Sequence, residues 1–135
     1  MLQLKEMKLF KMIEERMSWL SERQRVVANN IANADTPNYR PKDVKELDFK
    51  DMLQPHAPKP TMVVTNARHM LPPHQPQEFG TERDRDPYEI SPTGNAVVLE
   101  EQLMKVAETQ ANHRLASNLY AKHLAMLREA LGRGG

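Results

Sequence analysis

The side chains able to do chemistry are few and poorly placed for it. His69 and His74 stand among prolines, with no Cys anywhere in the chain, no His-x-x-x-His pair on a nearby helix and no obvious third ligand, so solvated loop histidines are the expectation rather than a metal centre. His113 and His123 are ten residues apart, which puts them on different faces of a helix turning about 100° per residue. Glu100 and Glu101 read as first-turn residues of a helix, favoured there by its dipole, with Asn95 as the expected cap. The string ERDRD at 82–86 reads as a solvated charge cluster. No Gly-rich phosphate loop and no nucleophile elbow occurs. These residues nominate no catalytic group, no cofactor site and no small-molecule substrate.

Composition points the same way. The chain has 135 residues, 39% hydrophobic, 27% charged and only 5% aromatic, which suits one modest or elongated domain with few large rings to fill a globular core. A net charge of +1 with both signs mixed along the chain offers no basic stripe for nucleic acid. The absence of Cys excludes disulfides and thiolate sites, and is compatible with an oxidising compartment. The opening MLQLKEMKLFKMIEERMSWL interleaves Lys and Glu with apolar residues, unlike the apolar core of a secretory signal, and no run approaches a membrane span. If such a chain leaves the cytoplasm, a route without a cleaved signal peptide is implied.

The elements that would position any site follow from the helix breakers. All ten Pro lie between Pro37 and Pro92, and both ends are free of Pro and Gly for more than thirty residues. The chain therefore divides into an N-terminal helix over 1–35, a Pro-rich loop or extended segment over 36–95, a C-terminal helix over 96–131 and a short tail over 132–135. In the first segment Phe10, Ile13, Met17, Leu20, Gln24, Val27 and Ile31 recur at spacings of three and four, the seam of a coiled coil. The last segment gives Leu99, Leu103, Val106, Gln110, His113, Ser117, Tyr120, Leu124, Leu127 and Leu131 in the same rhythm, with a polar middle third. A second stripe through Ala111, Leu115, Leu119, Met126 and Ala130 is more apolar surface than one partner helix can cover. Met7, Met12, Met17, Met104 and Met126 read as adaptable packing at helix contacts. The expected fold is mainly α, two long terminal helices pairing as a coiled coil. The Pro-rich middle should hold loops, with TMVV at 61–64 as the candidate strand of a short hairpin, and much of it should be disordered in the isolated chain.

One stretch is unusual. VVANNIANADTPNYR, residues 26–40, loads the end of an amphipathic helix with Asn29, Asn30 and Asn33, which are poor helix formers and costly in a core unless bonded. Their amides are expected at a helix interface, fixing register where apolar packing would slide; fraying of the helix end is the alternative. Pro37 pushes Thr36 away from helical angles, and Pro37-Asn38 suits the centre of a type II turn because Asn tolerates positive φ. Tyr39 then supplies an amphipathic anchor at the turn exit.

Asn30-Ile31-Ala32-Asn33, followed by Asp35-Thr36-Pro37 and Tyr39, closely resembles the N-terminal signature of bacterial flagellar rod, hook and hook-filament junction proteins. That signature runs Asn-Ile-Ala-Asn and then Asn/Asp-Thr-Pro-Gly-Tyr/Phe. Asn38 replaces its Gly, the next best residue for positive φ. The short length, the TNARHM segment at 65–70 and the Gly-Asn-x-Val-x-Leu-Glu pattern from Gly94 look like the FlgB type of proximal rod protein. The FlgC type would instead be expected to show an Ala-Asn run late in the last helix.

The resemblance implies a structural subunit of a hollow, torque-transmitting rod, exported by the flagellar type III apparatus and located in the periplasmic part of the basal body. Its implied partners are other rod proteins, copies of itself, the rod-base adaptor and the membrane-embedded ring protein. The alternative within the family is the FlgC type. From another class, a cytoplasmic helical adaptor or export chaperone would share the paired helices without needing the Asn-rich string.

Overall fold

The computed structural model describes residues 7–48, 79–85 and 87–132. Two helices dominate: α1, Lys8–Ala32, and α2, Leu99–Leu131. At 1.5 Å per residue they are about 38 Å and about 50 Å long. Between them lie two short strands, β1 at Lys42–Val44 and β2 at Thr81–Arg83. TMVV, TNARHM, His69 and His74 fall outside the described residues.

The helices run antiparallel. Near the start of α1 the Phe10 ring meets Tyr120 edge-on at 5.2 Å, farther along Arg23 reaches Glu108 at 3.2 Å, and near its end Asn30 bonds Gln102 at 2.9 Å. The face that α1 turns inward includes its expected seam: Phe10, Leu20 and Val27 are buried, Ile13 and Met17 are half-buried, and Gln24 is exposed.

On α2 the heptad holds and its phase shifts. The inward row is Gln102, Val106, Thr109, His113, Ala116 and Tyr120, of which Gln102, Thr109 and Ala116 are buried. Leu124 and Leu127 are half-buried, whereas Leu99 and Leu103, expected in the seam, are 44% and 55% exposed. Leu131, Leu115, Leu119 and Met126 are also exposed. The physical reason lies opposite: α1 contributes Asn30 to the contact, and a buried amide is matched by Gln102 rather than by a leucine. Thr109 is tolerated there because its hydroxyl donates to the Lys105 carbonyl at 2.7 Å.

A second row on α1, beside this seam, turns toward β1. Trp19, Arg23, Val26 and Asn30, spaced four, three and four, lie along the strand. Trp19 Nε1 donates to the Lys45 carbonyl at 2.6 Å, Arg23 reaches Asp43, and Asn30 holds Lys42. The core therefore has three layers: Trp19, Leu20 and Val26 of α1, Ala116 of α2, and Val44 of β1, with Ile13, Met17, Leu47 and Phe79 packed against them. β1 and β2 pair antiparallel, Lys42 opposite Arg83 and Val44 opposite Thr81. The ladder is extended by Lys45 N–H donating to Gly80 O at 2.8 Å and Asp84 N–H to Pro41 O at 3.0 Å.

Asn95 is not the cap of α2. The helix begins after Val98 with no side-chain cap, and Glu100 and Glu101 occupy its first turn. Asn95 has another task, described next.

Candidate assembly interface

Asn30 is 1% exposed and uses its whole hydrogen-bonding capacity. Its Nδ2 donates to the Lys42 carbonyl at 2.7 Å and to Gln102 Oε1 at 2.9 Å, while its Oδ1 accepts from the Lys42 N–H at 3.0 Å and the Tyr39 hydroxyl at 3.1 Å. By taking both backbone groups of Lys42, the amide stands where a neighbouring strand would stand, on the edge of β1 away from β2. One side chain thus joins α1, α2, β1 and the Tyr39 ring.

Asn33 ends the helix. Its N–H bonds to the carbonyls of Asn29 and Asn30 at 3.1 and 3.2 Å, its Nδ2 donates to Asn29 O and Oδ1, and its Oδ1 accepts from the Thr36 hydroxyl at 3.1 Å. Of the three asparagines expected at the helix interface, only Asn30 reaches α2; Asn29 and Asn33 close the end of their own helix. Ile31 is half-buried and Ala32 exposed. The turn follows, with Tyr39 N–H donating to Thr36 O at 3.3 Å and Asn38 at φ 59°. Thr36, Pro37 and Asn38 lie at the surface.

The turn is fastened from far along the chain. Asn38 N–H donates to Thr93 O at 3.2 Å and Ala96 N–H to Tyr39 O at 3.0 Å. Asn95, 5% exposed, donates to the carbonyls of Asn33 at 2.9 Å and Thr36 at 2.6 Å, and its Oδ1 accepts from Val97 N–H at 2.8 Å. Both carbonyls already accept a turn bond, from the Thr36 and Tyr39 N–H groups respectively, so the Asn95 amide clamps the turn from outside. Gly94, at φ 79°, makes the tight approach possible, with its N–H on Ser91 O at 2.8 Å. The Asn-rich string and the Gly-Asn pattern before α2 are two halves of one junction.

An ionic layer lies beside it. The Arg23 guanidinium grips both Asp43 oxygens at 3.1 and 3.3 Å and touches Glu108 at 3.2 Å; Lys105 reaches Asp43 at 3.6 Å and Glu101 at 3.0 Å. Burial by itself would lower the pKa of Arg23 and of Lys105. Bonding to Asp43 and to Glu101 respectively, together with the fields of the neighbouring carboxylates, outweighs it and raises both. On the outer face of α1, Arg25 bonds Glu22 and lowers that carboxyl's pKa. Sequence reasoning missed the Arg23–Asp43–Lys105 layer and the Trp19 contact. The spacing of Trp19, Arg23, Val26 and Asn30 was their available signal.

On the same flank, farther toward the start of α1, an apolar cleft of about 380 Å³ opens between the helices, lined by Leu9, Met12, Ile13, Leu47, Ala116 and Leu119, with Arg16 at its edge. Among the described residues no cluster of three or more His, Asp or Glu could hold a metal ion, and no helix is long and apolar enough to cross a membrane.

Comparison with known proteins fits this geometry. The family model for flagella basal body rod proteins matches residues 13–40, which is most of α1 and the junction turn. The flagellar basal body rod protein FlgB of Agrobacterium fabrum is 33% identical over 113 residues, spanning 82% of this chain and 83% of the relative. The FlgB of Bacillus subtilis is 28% identical over 102 residues, 76% of each chain, and that of Cereibacter sphaeroides 30% over 109 residues, 81% and 82%. With the signature folded into a junction between two long helices and similarity running over most of the sequence, the chain belongs to the flagellar basal body rod proteins of the FlgB type, structural subunits of the rod.

Proposed function

We propose that this chain is a subunit of the proximal part of the rod. In this reading it meets the rod-base adaptor and the membrane-embedded ring protein on one side and other rod proteins and copies of itself on the other. The carrying observation is the pairing of a closed, polar junction with unspent apolar surface on both helices. The junction fixes the two rods in one register, so torque applied at one end is not lost in sliding. The exposed leucines and methionines supply side-to-side contact, and a contact that does not close on itself generates a filament from a small subunit. A periplasmic position, a hollow shaft and passage through the type III apparatus without a cleaved signal belong to the same reading.

The test is electron microscopy of basal bodies, with swimming assays, in a strain lacking only this chain. Rings without a rod and no motility are expected, restored by a plasmid copy. Intact rods with normal swimming would refute the reading and favour a cytoplasmic adaptor.

A further inference from the structure

We propose that the cleft formed by Leu9, Met12, Ile13, Leu47 and Leu119 receives the Leu99–Leu103 ridge of α2 from a second copy of this chain. The proposal rests on the rod-subunit reading above. It begins from the phase of α2. Leu103 follows the buried Gln102 by one residue and Leu119 precedes the inward Tyr120 by one. The two leucines thus flank the seam on opposite sides, each about 100° from it. One flank carries a projecting pair, Leu99 and Leu103, one turn apart. The other flank is the wall of a depression.

Size and charge choose the occupant. An engineered cavity of about 150 Å³ holds a benzene molecule, so a cleft of about 380 Å³ has room for two leucine side chains. At its edge is Arg16, stacked over Trp19 at 4.5 Å and in no ion pair among the described residues. Beside the Leu99–Leu103 ridge is the exposed carboxylate of Glu100. A ridge bearing an acid fits a cleft bearing a base, and both belong to this one chain. Because ridge and cleft are different patches, each copy can engage two others, the heterologous geometry that propagates instead of closing as a dimer.

The chain has no Cys, so disulfide trapping has no background. Leu103→Cys and Leu119→Cys both fall at exposed positions and should leave the fold intact. Sixteen residues apart on one helix, they are separated by about 24 Å, far beyond the roughly 7 Å limit for a disulfide between Cα atoms. Any bond is therefore intermolecular. In basal bodies purified from cells carrying only the double variant and oxidised with copper-phenanthroline, most of the chain should move into dimers and larger multiples of its mass. Each single variant should stay monomeric. Arg16→Glu should cut the yield several-fold, and adding Glu100→Arg should restore it.

A double variant present in basal bodies yet monomeric after oxidation would overturn the cleft assignment alone. So would single variants that cross-link as well as the double, which indicates a symmetric contact, or adducts with another rod protein in place of multiples of this chain. Absence of the wild-type chain from basal bodies of otherwise normal cells would overturn the rod reading and the cleft with it.

Discussion

Asn38 and Gly94 face each other with backbones of the same rare sign, φ 59° and φ 79°, so closely that a Cβ placed on Gly94 would overlap Asn38 Oδ1. The junction is tight because one partner has no side chain and the other tolerates the left-handed region. Gly94→Ala should therefore cost about 2 kcal/mol. Asn38→Gly removes the opposing oxygen and should cost little by itself. In the double variant the penalty of Gly94→Ala should shrink by about 1 kcal/mol. Urea denaturation of the four proteins measures this, and strictly additive effects would show that the two residues do not press on each other.

Asn30→Leu should be among the most damaging surface-invisible changes in the chain. It leaves Gln102 Oε1, the Tyr39 hydroxyl and both backbone groups of Lys42 without their partner. With each orphaned group worth about 1–3 kcal/mol, a loss of at least 3 kcal/mol and of swimming is expected. Asn29→Ala, at an exposed position, should change stability by less than about 1 kcal/mol. Equal thermal midpoints for wild type and Asn30→Leu would remove the locking role.

Lys105 gives a pH signature. Its pKa is raised in the folded chain, so its contribution is fully present below its unfolded value of about 10.4 and is lost only as pH rises through the higher folded value. The stability difference between wild type and Lys105→Met should accordingly be flat from about pH 6 to 9 and shrink in stronger alkali. A difference that already fades between about pH 7 and 9 would contradict the Glu101 and Asp43 pairing.

Trp19 is the sole tryptophan and is 3% exposed, so its emission reports the joint between α1 and β1 directly. Trp19→Phe removes the donor to Lys45 O and should lower stability by about 1–2 kcal/mol. In the intact chain the emission should be blue-shifted and move red in the same denaturant transition that melts the helices. A red shift well before helix loss would mean that β1 detaches as a separate unit.

The helices were legible in the sequence because Pro and Gly are absent from them and apolar residues recur at three and four. The register of α2 was not. Val106, His113 and Tyr120 of the expected seam do face inward, but Gln102 and Thr109 beside them are buried too, and their polarity hides them from any search for apolar periodicity, while the more apolar Leu99 and Leu103 point outward. The junction was half legible: Asn38 at positive φ and the Thr36–Tyr39 turn follow from residue type. The role of Asn95, sixty residues away, follows only from the fold that brings it back. β1 and β2 show no alternating pattern because each is three residues long: β1 buries only Val44 and is otherwise held by side chains of α1, and β2 is exposed throughout and held by its pairing with β1.

Lys45 and Gly80, on either side of the segment that connects β1 to β2, are joined by a backbone hydrogen bond of 2.8 Å. Exit and re-entry are neighbours, so the base makes no demand on how much polypeptide is hung between them, and the entropy of closing that excursion grows only slowly with its length. The two ends of the connecting segment are thus fixed to each other by the strand pair and not by the segment itself. A short epitope introduced between Lys45 and Gly80 should accordingly leave the pairing of the two helices unchanged, with the same helical signal and the same thermal midpoint as the untagged chain.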